Sequence, residues 1–542
     1  MKKLLFVSII LITSIGFSQE DALVFFADKE NVASSIANPI SIMTQAAIDR
    51  KMAQGIAIDD RDVPLNENYK SQVNAATGIT VLAKSKWINA VYVRGTFANI
   101  ENLKNLSFVS DVEYMDKSLN RPAPKFPTVD KFEIENRQNV IYNYGAATNQ
   151  VEMIGVDQLH ENDYNGNGIK VAFMDNGYPN VLTNPAFDHV RDEGRLLGYY
   201  DFVSRTVSPN GSGSHGAHTF SDAAAIIENS NPDRAFTGTA PKASYYLFVT
   251  EDSASESPAE EAYCVEAMER ADSLGVYVTN TSLGYQSFDN PAYNHTYADL
   301  DGYTTIGSRG ANHAYDKGMI AVTSAGNDAQ GFGYVGSPGD APGAFTIGAV
   351  DGDGFYAYFS SYGPNSDGRV KPDVMAQGLG SAIVNAYGQV DYSNGTSFSS
   401  PITAGAVASL WQAVPNLKNG VVMQAIRESA SLYNSPTYNM GYGIPNFGVA
   451  LDLLLQMSVE EQMKENLFAI YPNPVTTEIN ISFPKNAEQA EFTLYDVLGK
   501  KVLQSRITPL QNSLDVSQLI SGMYIASITS NSKTTSFKII KK

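Results

Sequence analysis

The sequence predicts an α/β protein: a parallel sheet covered by helices on both faces, preceded by a small α+β unit and followed by a small all-β sandwich. Three observations carry that reading. The runs IKVAFMD (169–175), ASYYLFV (243–249), GVYVTNTS (275–282), MIAVTSAGN (319–327) and AFTIGAV (344–350) are apolar and β-rich, and helix-period segments separate most of them. Parallel strands buried on both faces read this way. Earlier, ALVFFA, ITVLAK, INAVYVRGTF and VSDVEYM are short apolar segments set around a helical stretch near 40–54, which marks a compact α+β unit. After about Met457, EINISF, AEFTLYDVLGKKVLQSRI, GMYIASITS and TTSFKIIKK alternate between turns without a helical period, as strands of a sandwich do.

Taken in order, MKKLLFVSIILITSIGFSQ begins basic, runs apolar from Leu4 to Phe17 and places small residues at Gly16 and Ser18. That is the plan of a signal peptide, residues 1–18, cut after Ser18. The α+β leader follows as 19–118. A connector at 119–143 contains RPAPKFPTVDKFEIENRQN, whose proline and charge suit an exposed, protease-accessible segment with a processing site. The α/β domain spans 144–455. Within it one helix is signposted by a capping box from Ser257 to Glu260, by Pro258 at its first position and by Gly275 at its end. A linker, 456–466, leads to the β domain, 467–542.

Composition excludes some classes. Acidic residues outnumber basic ones by 57 to 38, for a net charge of −19, and the lysines form no long basic run. Wrapping a nucleic acid is therefore not expected. The apolar run at the start is shorter than the ~20 residues of a membrane span and none later is longer, so no transmembrane segment is expected. Cys264 is the single cysteine, which forbids an intrachain disulfide and reads as a buried small residue.

Four stretches bear chemistry. Asp175 ends a predicted strand, where ligands of parallel sheets bind, although Asp-Asn-Gly is also a good turn. GSGSHGAHTFSDAAA puts His215 at the start of a small-residue helix. VTSAGND ends another strand with Asn327. NGTSFSSP crowds Ser397, Ser399 and Ser400 at a helix start, where serines commonly cap. Together, in the order Asp, His, Asn, Ser, they supply a nucleophile, a base, an orienting carboxylate and an oxyanion donor.

These segments resemble the subtilisin-like serine peptidases (subtilases) over roughly 144–455: HGAH the family's HGTH, VTSAGN its oxyanion-asparagine segment, NGTSFSSP its NGTSMASP. The resemblance implies a subtilisin-like sheet and a serine endopeptidase acting on protein or peptide substrates. By position it makes Ser397 the nucleophile, His215 the base, Asp175 its carboxylate and Asn327 the oxyanion donor, while Ser399 and Ser400 pack or cap and His218 is structural. NTSLG resembles the segment whose backbone holds substrate, which implies Ser282, Leu283 and Gly284 as substrate-binding. Two departures stand out: Asn176 follows the aspartate where Thr or Ser is usual, and Ala217 replaces Thr in the histidine motif. Glu251, Asp252 and Glu256 fall beside the expected substrate strand and suggest a preference for basic residues at outer positions, against the alternative of a solvated face.

No cofactor is required for this chemistry. DYNGNG (163–168) matches the opening of an EF-hand loop, but its twelfth position is Met174, so it reads as a turn; a structural calcium is left open without a location. The leader is similar to subtilase propeptides and is expected to act as an intramolecular inhibitor of a proenzyme. IYPNP, LYDVLGKKV, LISGMYIASI and FKIIKK resemble the C-terminal sorting domain of the type IX secretion system, which implies that machinery as a partner. The implied location is secreted or on the outer-membrane surface of a Gram-negative bacterium, via the periplasm. A non-catalytic binding or adhesion protein on the same fold and an esterase are the competing readings.

Overall fold

The computed structural model describes residues 19–120, 142–465, 468–484, 487–530 and 533–542. The expected signal peptide and most of the expected connector lie outside the described residues. The chain forms two compact units, Met1–Leu453 and Leu454–Lys542.

In the first unit a seven-stranded sheet runs in the order Val374–Gln377, Ala344–Val350, Ile320–Ser324, Val278–Thr281, Lys170–Asp175, Ser244–Val249, Leu196–Asp201. Every pairing is parallel. The five expected strands are all present. The two others were hidden for local reasons: Leu196–Asp201 is an edge strand interrupted by Gly198, and Val374–Gln377 has only four residues, VMAQ. Strand order reverses around Lys170–Asp175, which pairs with Ser244–Val249 on one side and Val278–Thr281 on the other. Such a reversal is where the loops of parallel sheets diverge and ligands commonly bind.

Helix Thr396–Ala413 is buried along nearly its whole length, with Trp411 fully enclosed, and packs on the central strands; a helix apolar on all sides belongs inside a core. Helices Ala259–Ser273 and Ile306–Asp316 pack against each other and also on central strands of the sheet. Only half of the expected capping box forms at the first of these. Glu260 Oε2 accepts the Ser257 N–H at 2.8 Å, but the Ser257 hydroxyl makes no capping bond, and Pro258 precedes the first helical residue. Gly275, at φ +80°, ends it as expected.

The leader, also in this unit, is an antiparallel sheet in the order Ile79–Ser85, Ala90–Thr96, Gln19–Phe26, Val109–Tyr114, matching the four segments read from the sequence. The helix expected near 40–54 is Gln45–Ala53, capped by Thr44. Three short helices, Val32–Ala37, Glu67–Asn74 and Phe97–Leu103, were not anticipated; Asn66 and Thr96 cap the last two. Leu23, Trp87 and Tyr92 of the leader share one apolar core with Tyr263, Cys264 and Met268 of helix Ala259–Ser273. Glu269 on that helix accepts bonds from the Ser85 hydroxyl at 2.5 Å and from the Lys86 and Trp87 N–H groups at 2.9 and 3.1 Å.

The second unit pairs a three-stranded sheet (Ala469–Tyr471, Glu478–Ser482, Ser513–Asp515) with a four-stranded one (Lys501–Ile507, Ala490–Asp496, Gly522–Ser530, Lys533–Lys541), all antiparallel. Ile479, Ile481, Phe492, Leu494, Ala526 and Ile528 lie in a core of its own. The stretch expected as a linker is helical as far as Glu465, as the end of helix Phe447–Glu465. Among the described residues no helix is long and apolar enough to cross a membrane.

Candidate active site

Asp175 is the last residue of the central strand and is fully buried. His215 opens helix His215–Ala224, and its Nδ1 lies 2.8 Å from Asp175 Oδ1. The two elements can approach this closely because Gly216 follows the histidine. A Cβ on Gly216 would come within 2.6 Å of the Gly177 carbonyl oxygen and 2.8 Å of Asp175 Cβ, so any side chain there would push helix and strand apart. The HG pair is therefore a packing requirement as well as a chemical one.

The carboxylate is well satisfied. Oδ1 also accepts the Asn176 N–H at 2.8 Å, and Oδ2 accepts the Thr219 hydroxyl at 3.1 Å. The hydrogen bonds left open by Asn176 thus come from its backbone and from a threonine one turn along the histidine helix; the Asn176 amide turns away to Ser253 Oγ at 3.2 Å. Burial disfavours a charged His215, but the Coulomb attraction of Asp175 and the hydrogen bond to it more than offset that, and the imidazole pKa is raised above its ordinary 6.5.

Ser397 lies in the first turn of helix Thr396–Ala413 and is 8 % exposed. The His215 ring lies 5.8 Å, centre to centre, from the ring of the next residue, Phe398, so the histidine sits beside the first turn of the serine helix. The Ser397 hydroxyl donates to the Ser282 carbonyl at 3.1 Å and makes no hydrogen bond to His215 here; such bonds are often made only with substrate in place. Ser399 donates back to the Thr396 carbonyl, and Ser400 pairs with Ser282 Oγ at 3.1 Å. Both are fully buried, as packing and capping residues are.

Asn327 is exposed. Its Oδ1 accepts both the N–H and the hydroxyl of Thr396, at 2.8 and 3.0 Å, which fixes the amide and leaves Nδ2 with hydrogens to donate. Thr396 was not singled out by sequence reasoning, and only its place before the serine could have flagged it.

Of the three residues implied to hold substrate, Ser282 is buried and its hydroxyl is engaged by the Ser397 carbonyl at 2.9 Å and by Asn280 Nδ2 at 2.8 Å. Its side chain therefore supports the serine helix. The Leu283 carbonyl accepts the Ser324 hydroxyl at 3.2 Å, and Gly284 is exposed.

The carboxylates expected to attract basic substrates need correction. Glu251 is buried, bonded to the Tyr285 hydroxyl, and burial together with Glu260 lifts its pKa well above the carboxylate range. Burial and Asp289 push Glu256 up to about 7. Glu251 is thus not a surface charge. The DYNGNG segment is a turn: the N–H groups of Asn165, Gly166 and Asn167 all point at Gln412 Oε1, at 2.8 to 2.9 Å. Converging donors suit an acceptor, the wrong polarity for a cation. Among the described residues no group of three or more His, Cys, Asp or Glu side chains is placed to hold a metal. Cys264 is buried, its thiol pushed up to about 12 by burial.

The profile of the Subtilase family matches residues 166–443, slightly more than half of the chain and all four candidate residues. The chain belongs to the subtilase family. It is a serine-type endopeptidase. Residues 21–130 match the Peptidase S8 propeptide domain of Bacteroidota, and residues 469–542 match the secretion system C-terminal sorting domain. This subtilase is 26% identical over 315 residues to serine protease AprX of Bacillus subtilis, covering 52% of this chain and 67% of that one. It is 28% identical over 302 residues to the thermostable alkaline protease of Halalkalibacterium halodurans (55% and 72%). With subtilisin NAT of Bacillus subtilis subsp. natto it shares 27% over 332 residues (61% and 76%).

Proposed function

We propose that this subtilase is a secreted proenzyme that cuts proteins through Asp175, His215 and Ser397, with Asn327 donating to the oxyanion. The observation that carries the reading is the 2.8 Å bond between His215 Nδ1 and a fully buried Asp175, set beside the helix that carries Ser397 in its first turn. With its Nδ1–H given to the carboxylate, the imidazole keeps a lone pair on Nε2. Nε2 takes the proton as Ser397 Oγ attacks the scissile carbonyl carbon. The carbonyl oxygen gains the negative charge, stabilised by Asn327 Nδ2–H and the Ser397 N–H at a helix start, where backbone donors are free. Nε2–H then protonates the leaving amine as the C–N bond breaks. Water, deprotonated by His215, hydrolyses the acyl-enzyme in the same way.

The exposed Gly284 backbone and the neighbouring Leu283 hold substrate as an added strand. The reaction so drawn needs no cofactor. The propeptide, tied to the peptidase by a shared core, acts as the enzyme's own inhibitor until it is cut off. The C-terminal domain directs type IX export across the outer membrane, leaving the enzyme released or at the cell surface. The test is casein hydrolysis by purified, matured wild type and Ser397→Ala. The variant is expected to fold and to lose activity by several orders of magnitude, toward the residual ~10³ to 10⁴ over water left by the other groups; substantial activity in a clean Ser397→Ala preparation would refute the assignment.

A further inference from the structure

We propose that Thr219 is a positioning residue for the catalytic carboxylate, replacing the side-chain donor that Asn176 does not supply. The inference rests on Asp175 serving in the triad as proposed above. Thr219 follows His215 by four positions on helix His215–Ala224, so both side chains project from one face toward the end of the central strand. Thr219 and Asp175 are both fully enclosed. Among the described residues the carboxylate oxygens divide their partners unequally. Oδ1 has His215 and Asn176, whereas Oδ2 has the Thr219 hydroxyl alone.

The same hydroxyl lies 3.2 Å from the Gly216 carbonyl, the back-bond that helical threonines commonly make. Its single proton goes to the stronger acceptor. A buried anionic oxygen with no other donor outcompetes a neutral carbonyl, and leaving it unpaired costs more than a lost neutral bond. Asn176 does not take this place, because its donating amide nitrogen is turned to Ser253 and its Oδ1 can only accept. Thr219 therefore fixes the rotation of the carboxylate about its Cβ–Cγ bond, which keeps Oδ1 aimed at His215 Nδ1.

The experiment compares Thr219→Val, Thr219→Ser and Asp175→Asn in the matured enzyme. Thr219→Val keeps the shape and removes the donor. It is expected to lower kcat about 10-fold with KM unchanged and to move the acid limb of kcat/KM to lower pH, because a loosened carboxylate supports the imidazolium less. Thr219→Ser is expected to restore most of the rate and the original limb. Thr219→Val with wild-type kcat and an unmoved pH profile, while Asp175→Asn is nearly inactive, would overturn the role of Thr219 and leave the triad standing. An active Asp175→Asn would instead remove the triad reading beneath it. If Thr219→Val fails to fold, the His215 Nδ1–H proton resonance in Thr219→Ala decides: a resonance unchanged from wild type contradicts the proposal, and one shifted upfield or lost to exchange supports it.

Discussion

The Asp272 carboxylate of the peptidase domain lies 2.6 Å from the guanidinium of Arg50 in the propeptide, and both side chains are essentially out of contact with water. Lys51 joins the same carboxylate at 2.9 Å and reaches Asp62 at 3.2 Å, and Lys317 of the peptidase bonds Asp62 and Asp59 at 2.8 and 2.6 Å. A buried charge that loses its partner costs about 3–5 kcal/mol. Asp272→Ala in the mature enzyme is therefore expected to weaken inhibition by an added propeptide (19–118) by about 100-fold or more while leaving peptide hydrolysis unchanged. An unaltered inhibition constant would show that the network plays no part in holding the propeptide.

In the proposed mechanism the acid side of the pH profile belongs to His215. As a base it must be neutral, so activity is expected to fall as pH drops through a pKa above the ordinary 6.5, raised against burial by Asp175. The stability contribution has the opposite sign: a raised folded pKa stabilises the fold below the unfolded value and is lost as pH rises through the folded one. Asp175→Asn should move the limb down and reduce kcat by about 10⁴. A wild-type limb below 6 would contradict the pairing.

Asn327→Ala is expected to lower kcat about 10² to 10³-fold with KM nearly constant, because Thr396 already holds the amide oxygen and only the nitrogen side meets the developing charge. Steady-state kinetics decide this. An effect confined to KM would move Asn327 to substrate binding.

Export is expected to require the tail, which has its own core. A chain ending before Asn466 should fold, cut peptides and accumulate in the periplasm; fractionation showing normal export would refute the sorting role.

The side chains proposed to be catalytic could be named from the sequence because acyl transfer admits few residue types, and their order along the chain distinguishes one arrangement from others. The supporting groups were not. Thr219 and Thr396 look like ordinary helix residues; the partner of Thr219 follows only from how closely Gly216 lets helix and strand approach, and that of Thr396 only from the loop that brings Asn327 to it. Glu251 read as a surface charge because burial is not visible in a loop sequence, yet it lies under Tyr285. Arg50 and Asp272 are far apart in the chain, and neither alone signals an ion pair. Strands with continuous apolar runs were recognised, while the glycine-broken edge at Leu196–Asp201 was not.

The most direct measurement is active-site labelling. Matured enzyme treated with a fluorophosphonate, digested and mapped by mass spectrometry should carry one adduct, on Ser397, with labelling abolished in Ser397→Ala and strongly slowed in His215→Ala. An adduct on Ser399, Ser400 or another serine, or undiminished labelling of Ser397→Ala, would contradict the account.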